Sequence, residues 1–132
     1  MPPDEQDLID LLVADHRRLE SVFAEIETST EASARRAAIT AAIALLVRHT
    51  RAEEEHLHPA LRELLPAGTE IAAYETGEHG RMDELITRLG ELDDTDPAFD
   101  GLLATLLDAV RQHMQEEETE LFPRLQSARV TE

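Results

Sequence analysis

The sequence predicts an all-α fold, an up-down-up-down four-helix bundle with a metal site in its core. Three observations lead there. The 132 residues divide into four long segments whose apolar positions recur at helical spacing, and no stretch reads as a strand. Aromatics are only 3% and Trp is absent, so the 42% hydrophobic content is largely Leu, Ile, Val and Ala, which suits helix packing more than a β-sandwich. Third, the segment His49-Thr-Arg-Ala-Glu53-Glu-Glu-His-Leu57-His-Pro59 recurs 64 residues on, as His113-Met-Gln-Glu-Glu117-Glu-Thr-Glu-Leu121-Phe-Pro123. Both copies read His-x-x-x-Glu-Glu-x-x-Leu-x-Pro.

The first helix is predicted from about Asp4 to Thr28, on a stripe of Leu8, Ile9, Leu11, Leu12, Leu19, Val22, Phe23 and Ile26. Ser29-Thr30 forms a joint and offers an N-cap for the second helix. That helix runs from about Glu31 to Leu65, with Ile39, Ile43, Leu46, Leu57 and Leu61 inward. Pro59 falls inside it and predicts a kink or local break, because proline removes a donor and crowds the preceding turn. Pro66-Ala-Gly68-Thr69 ends the helix, with Thr69 as the next N-cap. The third helix follows from about Glu70 to Leu92. Gly77 and Gly80 flank His79 and weaken the helix by roughly 1 kcal/mol each relative to Ala, marking either a close backbone approach or a plain weak spot. Asp93-Asp-Thr-Asp96-Pro97 is a turn with a strong restart, Asp as N-cap and Pro at the first helical position. The fourth helix runs from about Pro97 to Ser127, turns Leu103, Leu106, Val110, Leu121 and Leu125 inward, and carries Pro123 where the second carries Pro59.

The duplication reaches upstream. Asp15-His16-Arg-Arg-Leu19-Glu20 resembles Glu78-His79-Gly-Arg-Met82-Asp83, and the apolar residues after each His fall at the same offsets. The chain is one helix pair used twice, and the pairs can be related by a pseudo-two-fold axis. His and Glu four apart share a helix face. Leu46, His49, Glu53 and Leu57 are spaced three, four and four, as are Val110, His113, Glu117 and Leu121. His16 and His79 precede Leu19 and Met82 by three. These His and Glu residues therefore lie on apolar stripes, where an unpaired carboxylate is costly and a cation supplies the missing charge. Taken singly, a His-x-x-x-Glu in an acidic helix reads as a solvated surface pair. The matched sets carry the assignment of His16, His49, Glu53, His79, His113 and Glu117 as metal ligands.

Neighbouring residues divide differently. Glu54 and Glu118 match between copies but turn off the stripe, and read as outer partners of the ligands or as surface groups. His56 and His58 have no counterpart His and read as rim or surface residues, with an added site as the alternative. Glu116 and Glu120 read as solvated, and Arg17, Arg18, Arg51 and Arg81 as partners of acids on their own helices. Glu75, four residues before His79, is either a further ligand or a helix-surface acid. Tyr74 reads as a core aromatic, the alternative being a hydroxyl near the metals.

Composition bounds the function. The length suits one domain over 1–132, with a core from about 8 to 125. A formal charge of −17 argues against nucleic acid and against anionic membrane surfaces. A solubilising surface accounts for most of the 29 acids. With no Cys, disulfides, thiolate zinc sites and iron–sulfur clusters are excluded, so a metal must be held by imidazole and carboxylate. No signal peptide or membrane span is legible, which predicts a cytoplasmic protein.

His16, the His49/Glu53 pair, His79 and the His113/Glu117 pair together resemble the hemerythrin-like, or HHE cation-binding, family. The resemblance covers about Leu8 to Leu125. It implies a four-helix bundle with a non-haem di-iron centre, two iron ions joined by an oxo, hydroxo or water bridge. Glu53 and Glu117 would bridge the ions, with the four histidines as terminal ligands. Oxygen-carrying members have His-x-x-x-His on the third helix, where this chain has Glu75-x-x-x-His79; the change makes simple reversible oxygen carriage doubtful and favours ferric iron or an open position. The resemblance thus implies small-molecule oxidants as partners: O2, hydrogen peroxide or nitric oxide. Peroxide decomposition, catalase-like or peroxidase-like, is the foremost catalysis. The alternative is a reversible oxygen-binding or iron- or redox-sensing module without turnover.

Overall fold

The structure is a computed structural model, and it describes residues 5–130. Six α-helices and two π-helical turns build the four arms of an up-down-up-down bundle. The first arm is α1, Glu5–Thr28. The second is α2, Ala32–Ala52, a π turn at Glu53–Leu57, and α3, His58–Leu64. The third is α4, Gly68–Gly90. The fourth is α5, Phe99–Glu116, a π turn at Glu117–Leu121, and α6, Phe122–Val130. No helix among the described residues is long and apolar enough to cross a membrane. Asp4, the expected start of the first helix, lies outside the described residues.

The two prolines act through the π turns. Proline at 59 or 123 has no N–H, and its ring would crowd the carbonyl four residues back in a regular α-helix. Widening the preceding turn removes that conflict without ending the arm. The backbone N–H of His58 donates to Glu53 O, and that of Phe122 to Glu117 O, each five residues back. The expected kink or break is therefore a widened turn, and it begins at the Glu of each repeated motif.

Other ends differ by a few residues for local reasons. The cap of α2 is Glu31, one residue beyond Ser29-Thr30; its carboxylate accepts from the N–H groups of Ser33 (3.0 Å) and Ala34 (2.8 Å). α4 starts at Gly68, before the expected Thr69 cap. Ala67 precedes it in the left-handed region, φ 58°, ψ 25°. Gly68 is needed for space: a Cβ there would stand 1.9 Å from the carbonyl oxygen of Leu61, so α3 and α4 meet backbone to backbone. Gly77 and Gly80 have open space around them, which resolves their role in favour of the weak spot. Asp96 accepts from the N–H of Ala98 (2.8 Å), and α5 begins at Phe99 after a Pro97-Ala98 turn.

Two apolar clusters fill the bundle. One packs Leu19, Phe23 and Ile26 with Leu46, Met82, Leu89, Leu106 and Val110. The other packs Leu8, Ile9 and Leu12 with Leu57, Leu61, Leu121, Phe122 and Leu125. Each arm passes from one cluster to the other through buried His or Glu: His16 on α1, His49 and Glu53 on the second arm, Glu75 and His79 on α4, His113 and Glu117 on the fourth. A polar slab thus lies between two apolar ones. Leu11, expected in the stripe of α1, is 57% exposed.

Candidate metal centre

The structure brings the six candidate ligands read from the sequence together in this slab, all of them buried. Each half of the chain reaches into the other. His79 Nε2 stands 2.9 Å from Glu53 Oε1, and His16 Nε2 stands 3.1 Å from Glu117 Oε1. Along each arm, His49 Nε2 lies 3.5 Å from Glu53 Oε2, and His113 Nε2 lies 3.5 Å from Glu117 Oε2. Three sets of potential ligand atoms emerge, each within 4.8 Å of one another: His16, His49, Glu53 and Glu117; Glu53, His79 and His113; and Glu75, His113 and Glu117. Glu53 and Glu117 both join the His16/His49 side to the His79/His113 side.

The outer nitrogens of the imidazoles are held as well. His16 Nδ1 pairs with Glu118 at 2.7 Å, and His79 Nδ1 with Glu54 at 3.2 Å. Glu54 and Glu118 are therefore outer partners, which fix ring orientation and tautomer. His49 Nδ1 pairs with Asp15 at 3.0 Å. Arg17 donates to Glu118 across helices, a contact unlike the expected same-helix pair. Arg18 and Arg81 do approach acids on their own helices, Asp15 and Glu78.

Several of these buried donors have no hydrogen-bond partner. His49 Nε2, Glu53 Oε2, Glu75 Oε1, His113 Nε2 and Glu117 Oε2 are buried and make no hydrogen bond. Leaving buried carboxylate oxygens and imidazole nitrogens unpaired costs free energy. These donors are of the kind that suits a hard or borderline cation, so the residues present fit a metal.

The buried carboxyls and imidazoles also shift one another's protonation. Burial opposes ionisation of Glu53, but the neighbouring carboxyl of Glu117 and the imidazoles of His113, His49 and His79 hold its carboxyl well below the ordinary range. Burial, followed by the charge of Glu53, pushes Glu117 well above it. Burial also raises Glu75. The adjacent carboxyls thus ionise unequally, as coupled acids sharing a buried space do. Burial works against charge on His49, His79 and His113, yet Glu53 outweighs it and raises all three. His16 is lowered, by burial foremost.

Glu75 belongs to the cluster. It is 5% exposed, and its Oε1 lies 3.7 Å from His113 Nε2. Two neighbouring assignments change. His58, expected at the rim, is 1% exposed and stacks on His79, with ring centroids 5.4 Å apart. The π turn is the cause: residues five apart share a face there, so His58 follows Glu53 inward, and Phe122 follows Glu117 to stack on His16 at 6.0 Å. Regular helical periodicity misses this; the only signal was the proline after each motif. His56 is exposed, as expected. Tyr74, expected in the core, is 56% exposed, and its hydroxyl donates to Glu78 at 3.4 Å.

A curated protein described as a DNA nickase, from Nostoc sp., is 27% identical over 121 residues; the match spans 90% of this chain and 34% of that one. The chain thus covers about a third of the relative's length. No solved structure matches the chain. The family model of the hemerythrin HHE cation-binding domain matches residues 7–125, nearly the whole described bundle. The chain therefore belongs to the hemerythrin HHE cation-binding domain family.

Proposed function

We propose that this bundle holds two iron ions and reacts with small oxidants, O2, hydrogen peroxide or nitric oxide, with peroxide decomposition as its foremost chemistry. The observation that carries the metal reading is the set of buried, unpartnered donor atoms on His49, Glu53, Glu75, His113 and Glu117, all turned into one slab. His16 and His49 would hold one ion; His79, His113 and Glu75 the other. Glu53 and Glu117 would be available to both. Bound iron would supply redox chemistry and Lewis acidity at this site.

The chain's own residues do the rest. Glu118 and Glu54 keep the Nε2 atoms of His16 and His79 aimed inward by holding their Nδ1 atoms. The two apolar clusters pack against the slab from either end, and their low-dielectric surroundings strengthen the electrostatic interactions inside it. Deprotonating Glu117 on metal binding releases a proton, so binding and protonation compete there. Donors rich in carboxylate favour the higher oxidation state of iron, which supports turnover of an oxidant over reversible carriage.

Peroxide consumption by the iron-loaded chain tests the catalytic part. His113→Ala is expected to lower the rate by tenfold or more, roughly 1.4 kcal/mol of lost transition-state stabilisation. Equal rates would remove the catalytic claim. Reversible O2-dependent absorbance without peroxide turnover would favour the alternative, an oxygen-binding or sensing module. The nicking activity in the relative's name belongs to a chain of which the matched part is 34%. The −17 charge here disfavours contact with phosphates.

A further inference from the structure

The geometry points to an entry port for divalent cations, a cavity of about 290 Å3 between α4 and the fourth arm that ends on Glu75 and Glu117. The inference rests on the metal reading above and names the route by which the site is filled. At the floor, Glu75 Oε1 and Glu117 Oε2 are buried and unpartnered. These residues are 5% and 1% exposed. Ile71 and Leu121 line the passage. Glu70, Glu116 and Glu120 stand around it, with Arg124 the only cation among the lining residues.

The other half of the chain lacks these features at the matching positions. Leu12 occupies the place of Glu75, is 1% exposed, and packs with Leu57 and Leu61. Leu11 occupies the place of Tyr74, and both are exposed, 57% and 56%. The helix faces therefore match, but one approach ends in a packed leucine and the other in a carboxylate. A cation entering beside Glu75 meets the solvated acids first. It then meets Glu75, and then His113, 3.7 Å beyond. Carboxylates around a cleft with low-dielectric walls raise the local cation concentration and the association rate. The same field disfavours anions and leaves neutral O2 and hydrogen peroxide unaffected.

The test is the rate at which the metal-free full chain takes up Co2+, followed by visible absorbance after rapid mixing at low ionic strength. A Glu70→Gln/Glu116→Gln/Glu120→Gln variant is expected to load roughly tenfold more slowly, to reach the same final stoichiometry, and to converge on the wild-type rate in high salt. A control variant, Asp83→Asn/Glu84→Gln/Glu91→Gln, removes as many exposed acids elsewhere and is expected to load like wild type. Equal slowing in the two variants, or none in either, overturns the port. Failure of the wild-type chain to hold Co2+ at equilibrium overturns the metal reading itself, and the port with it.

Discussion

The two halves of the bundle agree where a ligand is needed and part company just outside. His16 is held between Glu117 and Glu118, and His79 between Glu53 and Glu54, so each half's histidine is clamped by the other half's paired glutamates. One turn earlier, the first half has a packed Leu12 and the second a buried, unpartnered Glu75. Phe122 stacks on His16, whereas His58 stacks on His79. Asp15 holds the outer nitrogen of His49, while His113 Nδ1 is buried with no hydrogen-bond partner. The acid matching Asp15 is Glu78, which accepts from Tyr74 instead. Duplication thus supplies the donors, and divergence at the flanking positions makes the two sides unequal: a packed leucine precedes one histidine, and a buried carboxylate that lines a cavity precedes the other.

The largest expected effect comes from removing what the halves share. Glu53→Ala or Glu117→Ala takes a donor from both sides and is expected to abolish high-affinity metal binding, read as metal content after dialysis. His16→Ala and His79→Ala, by contrast, are each expected to spare about half of the metal. Full retention by the glutamate variants would break the idea of a shared pair.

The unequal positions come next. Glu75→Leu makes the second half resemble the first and is expected to weaken the His79/His113 side by on the order of a hundredfold, about 3 kcal/mol. The reciprocal Leu12→Glu buries a carboxylate in the apolar cluster and is expected to lower the melting temperature of the metal-free chain. Competition titration and thermal unfolding read the two outcomes. If Glu75→Leu left affinity unchanged, the halves would be equivalent in function.

The outer partners sharpen the comparison. Glu118→Gln and Glu54→Gln are each expected to cost roughly 10–100-fold in metal affinity. Glu118 is expected to cost more, because it lies closer to its histidine, 2.7 Å against 3.2 Å, and is less exposed, 25% against 49%.

The smallest effect is pH-dependent. Glu117 is raised above its ordinary 4.5, so the metal-free fold draws stability from its protonated form. That contribution is fully present below 4.5 and is lost as pH rises through the raised value. Metal binding needs the carboxylate, so apparent affinity climbs as pH rises through the same window. Titration calorimetry in buffers of different ionisation enthalpy is expected to show proton release on binding, diminishing toward high pH.

The bundle and the clustering of the six candidate residues were legible because each rests on a period. Apolar stripes at 3.6 residues define the arms, and the repeated motif sets His49/Glu53 beside His113/Glu117. What stayed illegible lies where that period fails. The π turns bring His58 inward against the expectation from regular helical spacing. Glu75 and Tyr74 sit next to each other, and their burial is decided by which neighbour fills the groove, a tertiary matter. Caps shifted too, because Glu31 did the work expected of Ser29-Thr30.

The most direct measurement is anaerobic titration of the metal-free chain with ferrous iron, followed by metal analysis of the desalted protein. Two ions per chain, bound in two resolvable phases, are expected for a duplicated site with unequal halves. In Glu75→Leu, the expected change is loss of one phase with the other intact. A chain that retains no iron, or wild type and Glu75→Leu that bind alike, would contradict the account.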